Sequence, residues 1–186
     1  MPGFVPRSSR PLISAGFLEV FERHLDDPDG HAITRYVVTH PGAAVVVPVD
    51  DDGAVVMVRQ YRVAAERELL ELPAGKLEPG EPPEVTAGRE LEEEVGLTAG
   101  RLVRLGGFYN SPGFCDEFTH VYLGEALAPV DPPAGELKAE ERHMTVVRVA
   151  LDEALTRIGS GDIVDGKSII GLFLARAALG VDRSDP

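Results

Sequence analysis

Cysteine is nearly absent from this 186-residue sequence, in which Cys115 stands alone. A single cysteine cannot form an intrachain disulfide, so a disulfide-stapled secreted scaffold is excluded and a reducing, cytoplasmic location is expected. Long apolar runs are missing as well, since no stretch approaches the about 20 residues that a membrane span needs. No apolar segment follows the basic residues near the N-terminus, so we expect no signal peptide.

Basic residues are scarce relative to acidic ones. Eighteen lysines and arginines stand against thirty-one aspartates and glutamates, which gives a net charge of −13. Proteins that bind nucleic acid through phosphate contacts, or that bind anionic membranes, need the opposite sign. We therefore expect neither nucleic acid nor membrane as a partner. An anionic small ligand would need arginines or a metal ion to offset the charge of the protein.

The composition is otherwise that of a folded protein. Apolar residues make up 44% of the chain and charged residues 26%, which provides a core and excludes wholesale disorder. Alternating or β-branched runs predict strands at residues 17–23, 32–39, 43–49, 54–61, 68–72, 101–109, 118–125 and 145–149. The run at 43–49 is continuously apolar, which indicates a strand buried on both faces.

Helices, ends and loops complete the predicted organisation. Helical patterns occupy residues 84–95, 152–158 and 168–179. Both ends, 1–11 and 181–186, are expected to be frayed, and residues 126–142 are predicted to form a long loop. Strands with helices among them predict an α/β (α+β) fold arranged as a sandwich.

The most informative segment runs from Gly75 to Leu97 and includes the first predicted helix. On that helix Glu90, Glu93 and Glu94 stand at positions i, i+3 and i+4, so their carboxylates share one face. Leu91 and Val95 point away from that face and are expected to pack into the core. Glu92 is expected to face solvent.

Like charges at this spacing repel one another and weaken a helix. Three carboxylates on one face are explained if a hard divalent cation neutralises them. Ligands that are all oxygen point to Mg²⁺, with Mn²⁺ as the alternative, rather than to zinc. Arg89 is placed to orient one of the carboxylates.

The segment also carries a complete spacing pattern, G-x5-E-x7-R-E-U-x-E-E-x-G-U, in which U is aliphatic. Seven fixed residues match by chance with odds on the order of 10⁻⁸ per start position. The pattern resembles the signature box of the Nudix hydrolases without a departure. The resemblance implies hydrolysis of a nucleoside diphosphate linked to another group, with metal bound by Glu90 and Glu94, a further ion at Glu93, and the backbone carbonyl of Ala74 completing the ligand set.

The other residues of the box receive supporting roles by the same resemblance. Gly75 and Arg89 are supporting residues. Glu81 either helps to position metal or water, or it only hydrogen-bonds the loop that closes over the start of the helix.

Three flanking segments, 59–62, 71–76 and 111–117, resemble the ADP-ribose pyrophosphatase branch of that family, as does Pro112, sixteen residues past Gly96. By this resemblance Arg62 meets the diphosphate, and Ser111 and Glu117 lie on a loop at the terminal ribose. The branch usually forms homodimers, in which the N-terminal strands reach to the partner's site. The adenine would then stack on one of three aromatic residues, Phe17, Phe21 or Tyr36.

The resemblance refines the predicted fold and function. It implies a Nudix-like α/β/α sandwich with a mixed sheet, at residues 42–186, preceded by an N-terminal antiparallel strand segment at 1–41 that forms the dimer. The implied reaction is Mg²⁺-dependent hydrolysis of ADP-ribose to AMP and ribose 5-phosphate.

A general base is expected on the loop before the last strand, because the branch carries a glutamate there. Counting back from that strand favours Glu140, with Glu141 second. Arg142 and His143 stand where acidic residues are often found, so the sequence departs from the branch at this point.

A second motif competes with this interpretation. Residues 161–168 match G-x4-G-K-S, the phosphate-binding loop of nucleoside triphosphatases. That loop requires a buried strand directly before it, whereas residues 155–158 have a helical pattern, and two aspartates inside the loop would repel phosphate. We interpret the segment as a loop in which Ser168 is the N-cap of the last helix.

Two alternatives to an ADP-ribose hydrolase stay open. One is an enzyme that hydrolyses another nucleoside diphosphate sugar, such as GDP-mannose or ADP-glucose. The other is a catalytically inactive nucleotide-binding module, which the intact set of carboxylates disfavours.

Overall fold

The computed structural model of the chain describes residues 3–130 and 143–181. These residues fall into two compact units. The first, called here the N-terminal unit, consists of residues 3–42 and Phe108–Phe118. The second, called the box unit, consists of Ala43–Gly107 and the described residues from Thr119 onward.

The N-terminal unit is built on an antiparallel sheet of three strands in the order β1-β2-β3. The strands are β1 (Val5–Ala15), β2 (Leu18–Asp26) and β3 (Ala32–Thr39). The expectation of a frayed segment at 1–11 is wrong, because β1 pairs with β2 from Val5 onward. Prolines misled the prediction. An edge strand tolerates proline, and two irregularities in the β1–β2 register lie beside Pro6 and Pro11.

A loop from the second half of the chain belongs to the same unit. Val38 in β3 donates its backbone N–H to the carbonyl of Phe114 at 2.7 Å, and its own carbonyl accepts the N–H of Asp116 at 3.1 Å. The Asp116 carboxylate in turn accepts the backbone N–H of His40 at 2.8 Å. The loop that carries Ser111 and Glu117 is therefore fixed to the end of β3.

The box unit contains the remaining elements. The strands are β4 (Ala43–Pro48), β5 (Ala54–Arg62), β6 (Arg67–Glu71), β7 (Ala74–Lys76), β8 (Leu97–Tyr109), β9 (Phe118–Pro129) and β10 (Thr145–Ala150), of which β8 and β9 extend into the N-terminal unit. The helices are α1 (Pro83–Val95), α2 (Leu151–Gly159) and α3 (Gly166–Val181), and Val63–Ala65 forms a 3₁₀ turn. None of the described helices is both long and apolar enough to cross a membrane.

Two sheets organise these strands. One has the order β7-β4-β9-β8 and is mixed, because β4 is parallel to β9 and antiparallel to β7. The other has the order β10-β5-β6 and is antiparallel. The predicted mixed sheet is confirmed. The three-residue strand β7 escaped prediction because it is too short to show a periodic pattern.

Helices cover both faces of the mixed sheet, as the predicted α/β/α sandwich requires. Ala44 and Val46 of β4 form a buried cluster with Ala87 and Leu91 of α1. On the opposite face, Gly171 of α3 approaches β4 so closely that a Cβ there would lie 3.2 Å from Val47. Successive residues of a strand alternate between faces, so β4 is buried on both sides, as its apolar run predicts.

Helix α1 follows its predicted course closely. Pro82 precedes the helix and Pro83 is its first residue, which suits the fixed φ of proline. Gly96 ends the helix in the left-handed conformation, with φ 67°, and its N–H bonds the carbonyls of Leu91 and Glu92. The prediction of a helix closed by Gly96 is confirmed.

Two predicted boundaries are wrong. The N-cap of α3 is Asp165 and not Ser168, because the Asp165 carboxylate accepts the backbone N–H of Ser168 at 2.9 Å and its hydroxyl at 2.6 Å. The loop predicted at 126–142 does not begin at Ala126, since β9 continues to Pro129. Residues 131–142 of that loop lie outside the described part of the chain.

Candidate active site

The carboxylates of α1 are arranged as the spacing predicts. Leu91 is fully buried against the sheet, and Val95 packs against the same cluster. Glu92 is exposed, whereas Glu90 keeps only 5% of its surface accessible and Glu94 is half-buried. Because the apolar stripe packs into the core, the acidic face is partly withdrawn from bulk solvent. Like charges are more costly in such a partly buried position than in water.

Arg89 connects the residues of this face. Its Nη1 donates to Glu90 Oε1 at 2.6 Å and to Glu93 Oε2 at 3.3 Å. Its Nε and Nη2 donate to the two carboxylate oxygens of Glu81, each at 3.1 Å, and Nη2 also reaches the carbonyl of Lys76 at 3.2 Å. One guanidinium therefore orients three carboxylates, and these contacts are compatible with the supporting role predicted for Arg89.

Glu81 is fixed by donors on several sides. Besides Arg89, it accepts the hydroxyl of Thr86 at 2.7 Å and the backbone N–H of Glu78 at 3.2 Å. These bonds, with Arg89 first, lower the pKa of Glu81 to about 2. The contacts correspond to the loop-closing role considered for Glu81, since they tie the segment before α1 to the helix.

Gly75 is required for the close approach of β7 to α1. A Cβ at this position would lie 1.9 Å from Glu90 Oε1, far inside van der Waals contact. The Glu90 carboxylate therefore occupies the space that any other side chain at position 75 would take.

Glu94 contacts Ala74, which is also a member of the predicted metal-ligand set. Its carboxylate accepts the backbone N–H of Ala74 at 3.0 Å. Burial, followed by the nearby charge of Glu90, raises the pKa of Glu94 to about 8. A carboxylate in this position is destabilised when ionised, and a bound divalent cation would remove that penalty.

The donor set fits a hard divalent cation. It consists of carboxylate oxygens on one face of α1 with the backbone of Ala74 beside them, and such oxygen ligands suit Mg²⁺ or Mn²⁺. The three carboxylates do not all approach within 4.8 Å of one another. Within the described ranges, one trio of ligand atoms does so, at Asp27, Asp29 and His31 in the N-terminal unit. That trio is a turn, in which Asp27 accepts the backbone N–H groups of Asp29 and His31.

Arg62 lies at the end of β5 and is held by a residue that the sequence analysis assigned no role. Its Nε and Nη2 donate to the two oxygens of Glu71, each at 2.8 Å. Arg62 also counts among the charges that lower the pKa of Glu94. The structure thus places Arg62 beside the acidic face of α1, with about a third of its side chain exposed.

Glu71 is a site residue that the sequence did not predict. It is almost completely buried, with 1% of its surface accessible, and it accepts a further bond from Lys167 at 2.6 Å. Glu71 stands between Leu70 and Leu72, both fully buried, and a glutamate flanked by leucines is a signal that could have identified it, because buried carboxylates need cationic partners. Lys167 was found in the sequence, but only as part of the phosphate-loop pattern.

As predicted, residues 161–168 do not form a phosphate-binding loop. The helix α2, rather than a strand, precedes it. Lys167 is bound to Glu71 and Asp165, and Asp165 caps α3.

The residues predicted at the terminal ribose belong to the N-terminal unit. The Ser111 carbonyl accepts the N–H groups of Phe114 and Cys115, and the Asn110 N–H donates to the carbonyl of Glu117. The side chain of Glu117 lies 3.8 Å from His40 Nδ1. The predicted bases, Glu140 and Glu141, lie outside the described residues.

The aromatic candidates for adenine stacking also lie in the N-terminal unit. Phe17 makes an edge-to-face contact with His40 at 5.2 Å between ring centroids. Phe17 and Tyr36 expose about half of their surface or more, 48% and 59%. Phe21 is half-buried, which leaves less of its ring for a base.

A model of the NUDIX domain matches residues 38–166, more than half of the chain. The chain belongs to the Nudix family. It is a Nudix hydrolase by this match and by the complete box on α1. Nudix hydrolases use divalent metal, which agrees with the donor set described above.

Curated relatives give the same placement. An ADP-ribose pyrophosphatase of Bacillus subtilis (strain 168) is 43% identical over 157 residues, 84% of this chain and 84% of that protein. One of Mycobacterium tuberculosis (strain ATCC 25618 / H37Rv) is 44% identical over 171 residues, 91% of this chain and 82% of that protein. A GDP-mannose pyrophosphatase of Enterobacter sp. (strain 638) is 31% identical over 135 residues, 69% and 70% of the two chains.

The fold has a close counterpart among solved structures. The crystal structure of an ADP compounds hydrolase superposes with a TM-score of 0.84 and covers 97% of this chain and 96% of its own. The two sequences are 22% identical. This likeness shows that the Nudix fold expected from the sequence is correct.

Proposed function

We propose that this Nudix hydrolase cleaves the diphosphate bond of ADP-ribose, releasing AMP and ribose 5-phosphate, and that Mg²⁺ is its cofactor. The observation that carries the proposal is the acidic face of α1, where Arg89 orders Glu90 and Glu93 and the backbone N–H of Ala74 holds Glu94. The two relatives named ADP-ribose pyrophosphatase support the choice of substrate.

The metal site would be formed by groups at the start of β7 and on α1. Glu90 and Glu94 supply the main ligands, Glu93 joins a further ion, and the carbonyl of Ala74 completes the set. A bound divalent ion lowers the pKa of water and stabilises the charge that develops as a phosphorus–oxygen bond breaks. Mn²⁺ is the alternative cation, because it takes the same oxygen ligands.

Arg62 would bind the diphosphate. ADP-ribose brings two negative charges to a protein whose net charge is −13, so a fixed cation beside the acidic face is needed. The bidentate bond to Glu71 holds the guanidinium in one orientation while part of its surface stays accessible. A guanidinium held in this way can present its remaining N–H groups to phosphate oxygens.

Further substrate-binding roles, for the two opposite ends of ADP-ribose, are proposed for residues of the N-terminal unit. Ser111 and Glu117 would bind the terminal ribose, and Phe17 or Tyr36 offers more exposed ring surface than Phe21 for the adenine.

A homodimer and a cytoplasmic location complete the proposal. The edge strand β1 is exposed throughout and carries apolar side chains, including Leu12 and Ile13 at 40% and 59% exposure. Such a strand is suited to pairing with a second copy of the chain. The single cysteine is consistent with a reducing compartment.

A substrate panel tests the proposed reaction. We expect Mg²⁺-dependent release of AMP and ribose 5-phosphate from ADP-ribose, measured by product chromatography, and no activity after the metal is chelated. GDP-mannose and ADP-glucose are included, because a relative named GDP-mannose pyrophosphatase covers two thirds of the chain. A clear preference for either would replace ADP-ribose as the substrate. Turnover of nucleoside triphosphates alone would refute the branch assignment.

The general base is proposed to be Glu140, with Glu141 as the alternative. A positioned carboxylate that takes the proton from the attacking water typically contributes about 10²-fold or more. We expect Glu140→Gln to lose this factor in kcat at saturating Mg²⁺ and Glu141→Gln to keep most of the activity. The opposite order identifies Glu141 as the base, and two fully active variants would contradict both assignments.

A further inference from the structure

The segment that resembles a phosphate-binding loop has a different task in the structure. Its last residues form hydrogen bonds with the end of β6 and the residue after it. The Ser168 hydroxyl accepts the backbone N–H of Leu72 at 2.8 Å. Lys167 Nζ donates to Glu71 Oε2 at 2.6 Å and to Asp165 Oδ1 at 2.8 Å. The start of α3 is thereby attached to the stretch of chain that leads from β6 to Ala74.

Glu71 is the centre of this arrangement. Its carboxylate is buried and binds two cations, Arg62 through both oxygens and Lys167 through Oε2. Burial alone would raise the pKa of Glu71, but Arg62 and Lys167 outweigh it and the pKa is lowered. Glu71 is therefore ionised, and each of its two partners contributes to keeping it so.

Lys167 determines more than the charge of Glu71. A bidentate pair fixes the guanidinium of Arg62 in the plane of the carboxylate, but that plane can rotate with the flexible glutamate side chain. The third bond, from Lys167, removes this freedom. Asp165 holds Lys167 in turn. The orientation of Arg62 thus depends on a residue at the start of α3 that does not contact Arg62 in the hydrogen bonds described.

We propose that Lys167 is a positioning residue for the hydrolysis: by fixing the carboxylate of Glu71, it directs Arg62 toward the diphosphate of the substrate. This inference rests on the proposed function of Arg62. It assigns a role to the Lys167 segment that is distinct from both a phosphate-binding loop and a plain helix cap.

The first test compares Lys167→Met with Lys167→Arg. Methionine keeps much of the length of lysine but removes the charge, so Glu71 loses its third bond. A small misplacement of a substrate-binding group can cost on the order of 10²-fold. We expect kcat/KM to fall between about tenfold and a hundredfold in Lys167→Met, mostly through KM. Lys167→Arg is expected to recover most of that loss. Unchanged kcat/KM in Lys167→Met would overturn the proposal.

A double-mutant cycle separates positioning from a structural role. If Lys167 acts through Arg62, then Lys167→Met should cause little further loss in a protein that already carries Arg62→Gln. An equal loss in both backgrounds would overturn the proposal. Ser168→Ala is the matched control from the same segment. It removes the hydroxyl bonds to Leu72 and to Asp165 Oδ2. The backbone bond from Ser168 to Asp165 and the bonds of Lys167 to Asp165 Oδ1 and Glu71 stay in place, so its melting temperature should fall while its KM stays near that of the wild type.

Two further measurements keep the outcome clear. Thermal melting establishes whether Lys167→Met is folded. If it is not, Lys167→Gln enters the same cycle with the same expectation. The affinity for ADP, measured by calorimetry, tests diphosphate recognition without turnover, and it should weaken in Lys167→Met but not in Ser168→Ala. The variants could show this pattern of ADP affinities while the wild type does not hydrolyse ADP-ribose. That result would refute the proposed substrate and leave the role of Lys167 in diphosphate binding intact.

Discussion

Glu94→Gln is expected to lower kcat by on the order of 10³-fold, equivalent to about 4 kcal/mol of transition-state stabilisation. The variant should nevertheless fold. Glutamine has nearly the same shape as glutamate and can still accept the N–H of Ala74 that the carboxylate accepts at 3.0 Å. What it cannot supply is the negative charge that a divalent cation requires. Steady-state kinetics at saturating Mg²⁺ measures the loss.

The same substitution has a second expected effect, on stability without metal. The pKa of Glu94 is about 8 in the folded protein, against about 4.3 in an unfolded chain. Between these values the folded state binds more protons, so stability falls as pH rises, by up to about 1.4 kcal/mol per pH unit from this group. Below about pH 4 the group is protonated in both the folded and the unfolded state and does not contribute to the pH dependence of stability. Glu94→Gln should remove this part of the pH dependence.

Thermal melting from pH 5 to pH 9, with and without Mg²⁺, checks both effects together. The metal-free variant should melt higher than the wild type at pH 8, and Mg²⁺ should stabilise the variant much less. Glu92→Gln is the matched control, because Glu92 lies on the same helix and is exposed. It should behave as the wild type in every measurement. A Glu94→Gln protein with near-native activity would remove Glu94 from the metal set.

Gly75→Ala is expected to reduce activity by about 10²-fold, as a small misplacement of a catalytic group does. The added Cβ would lie 1.9 Å from Glu90 Oε1 and 2.1 Å from its carboxyl carbon. The Glu90 side chain must move, because the backbone of β7 is paired with β4 at this position. Moving it breaks the 2.6 Å bond from Arg89 and shifts one of the proposed metal ligands.

Gly88→Ala provides the comparison for this prediction. Gly88 lies within α1, and a Cβ there would meet Leu102 at an ordinary 3.9 Å. Alanine in a helix interior is favoured over glycine by about 1 kcal/mol, so this variant should be more stable and fully active. The metal dependence of activity tests the cause in Gly75→Ala, where the Mg²⁺ concentration for half-maximal rate should rise. An unchanged metal requirement together with native kcat would show that Glu90 is not a ligand.

Much of the fold was accessible from local patterns. Strand β3 occupies the predicted residues 32–39, and α1 begins one residue before its predicted start. These elements are specified by their own side chains, through β-branched runs, prolines at a helix start and Gly96 at its end. Strand β1 was not accessible, because its prolines argue against a strand and only pairing with β2 makes them tolerable.

The candidate site likewise has one part that local patterns specify and another that depends on tertiary contacts. The face shared by Glu90, Glu93 and Glu94 follows from the geometry of a helix, and the sequence predicts it before any packing is known. The pairing of Glu71 with Arg62 and with Lys167 does not follow from any local pattern. Glu71 and Lys167 are 96 residues apart in the chain, and their bond forms only because the fold brings the start of α3 to the end of β6.

By itself, therefore, the sequence determined the chemistry of the site, namely a set of carboxylates on one helix, together with the family that carries it. Tertiary structure alone decided how that chemistry is oriented: Gly75 leaves room for the Glu90 carboxylate, and Glu71 fixes Arg62. The physical reason is that side-chain direction along a helix is local, whereas burial and ion pairing depend on which distant segments the core brings together.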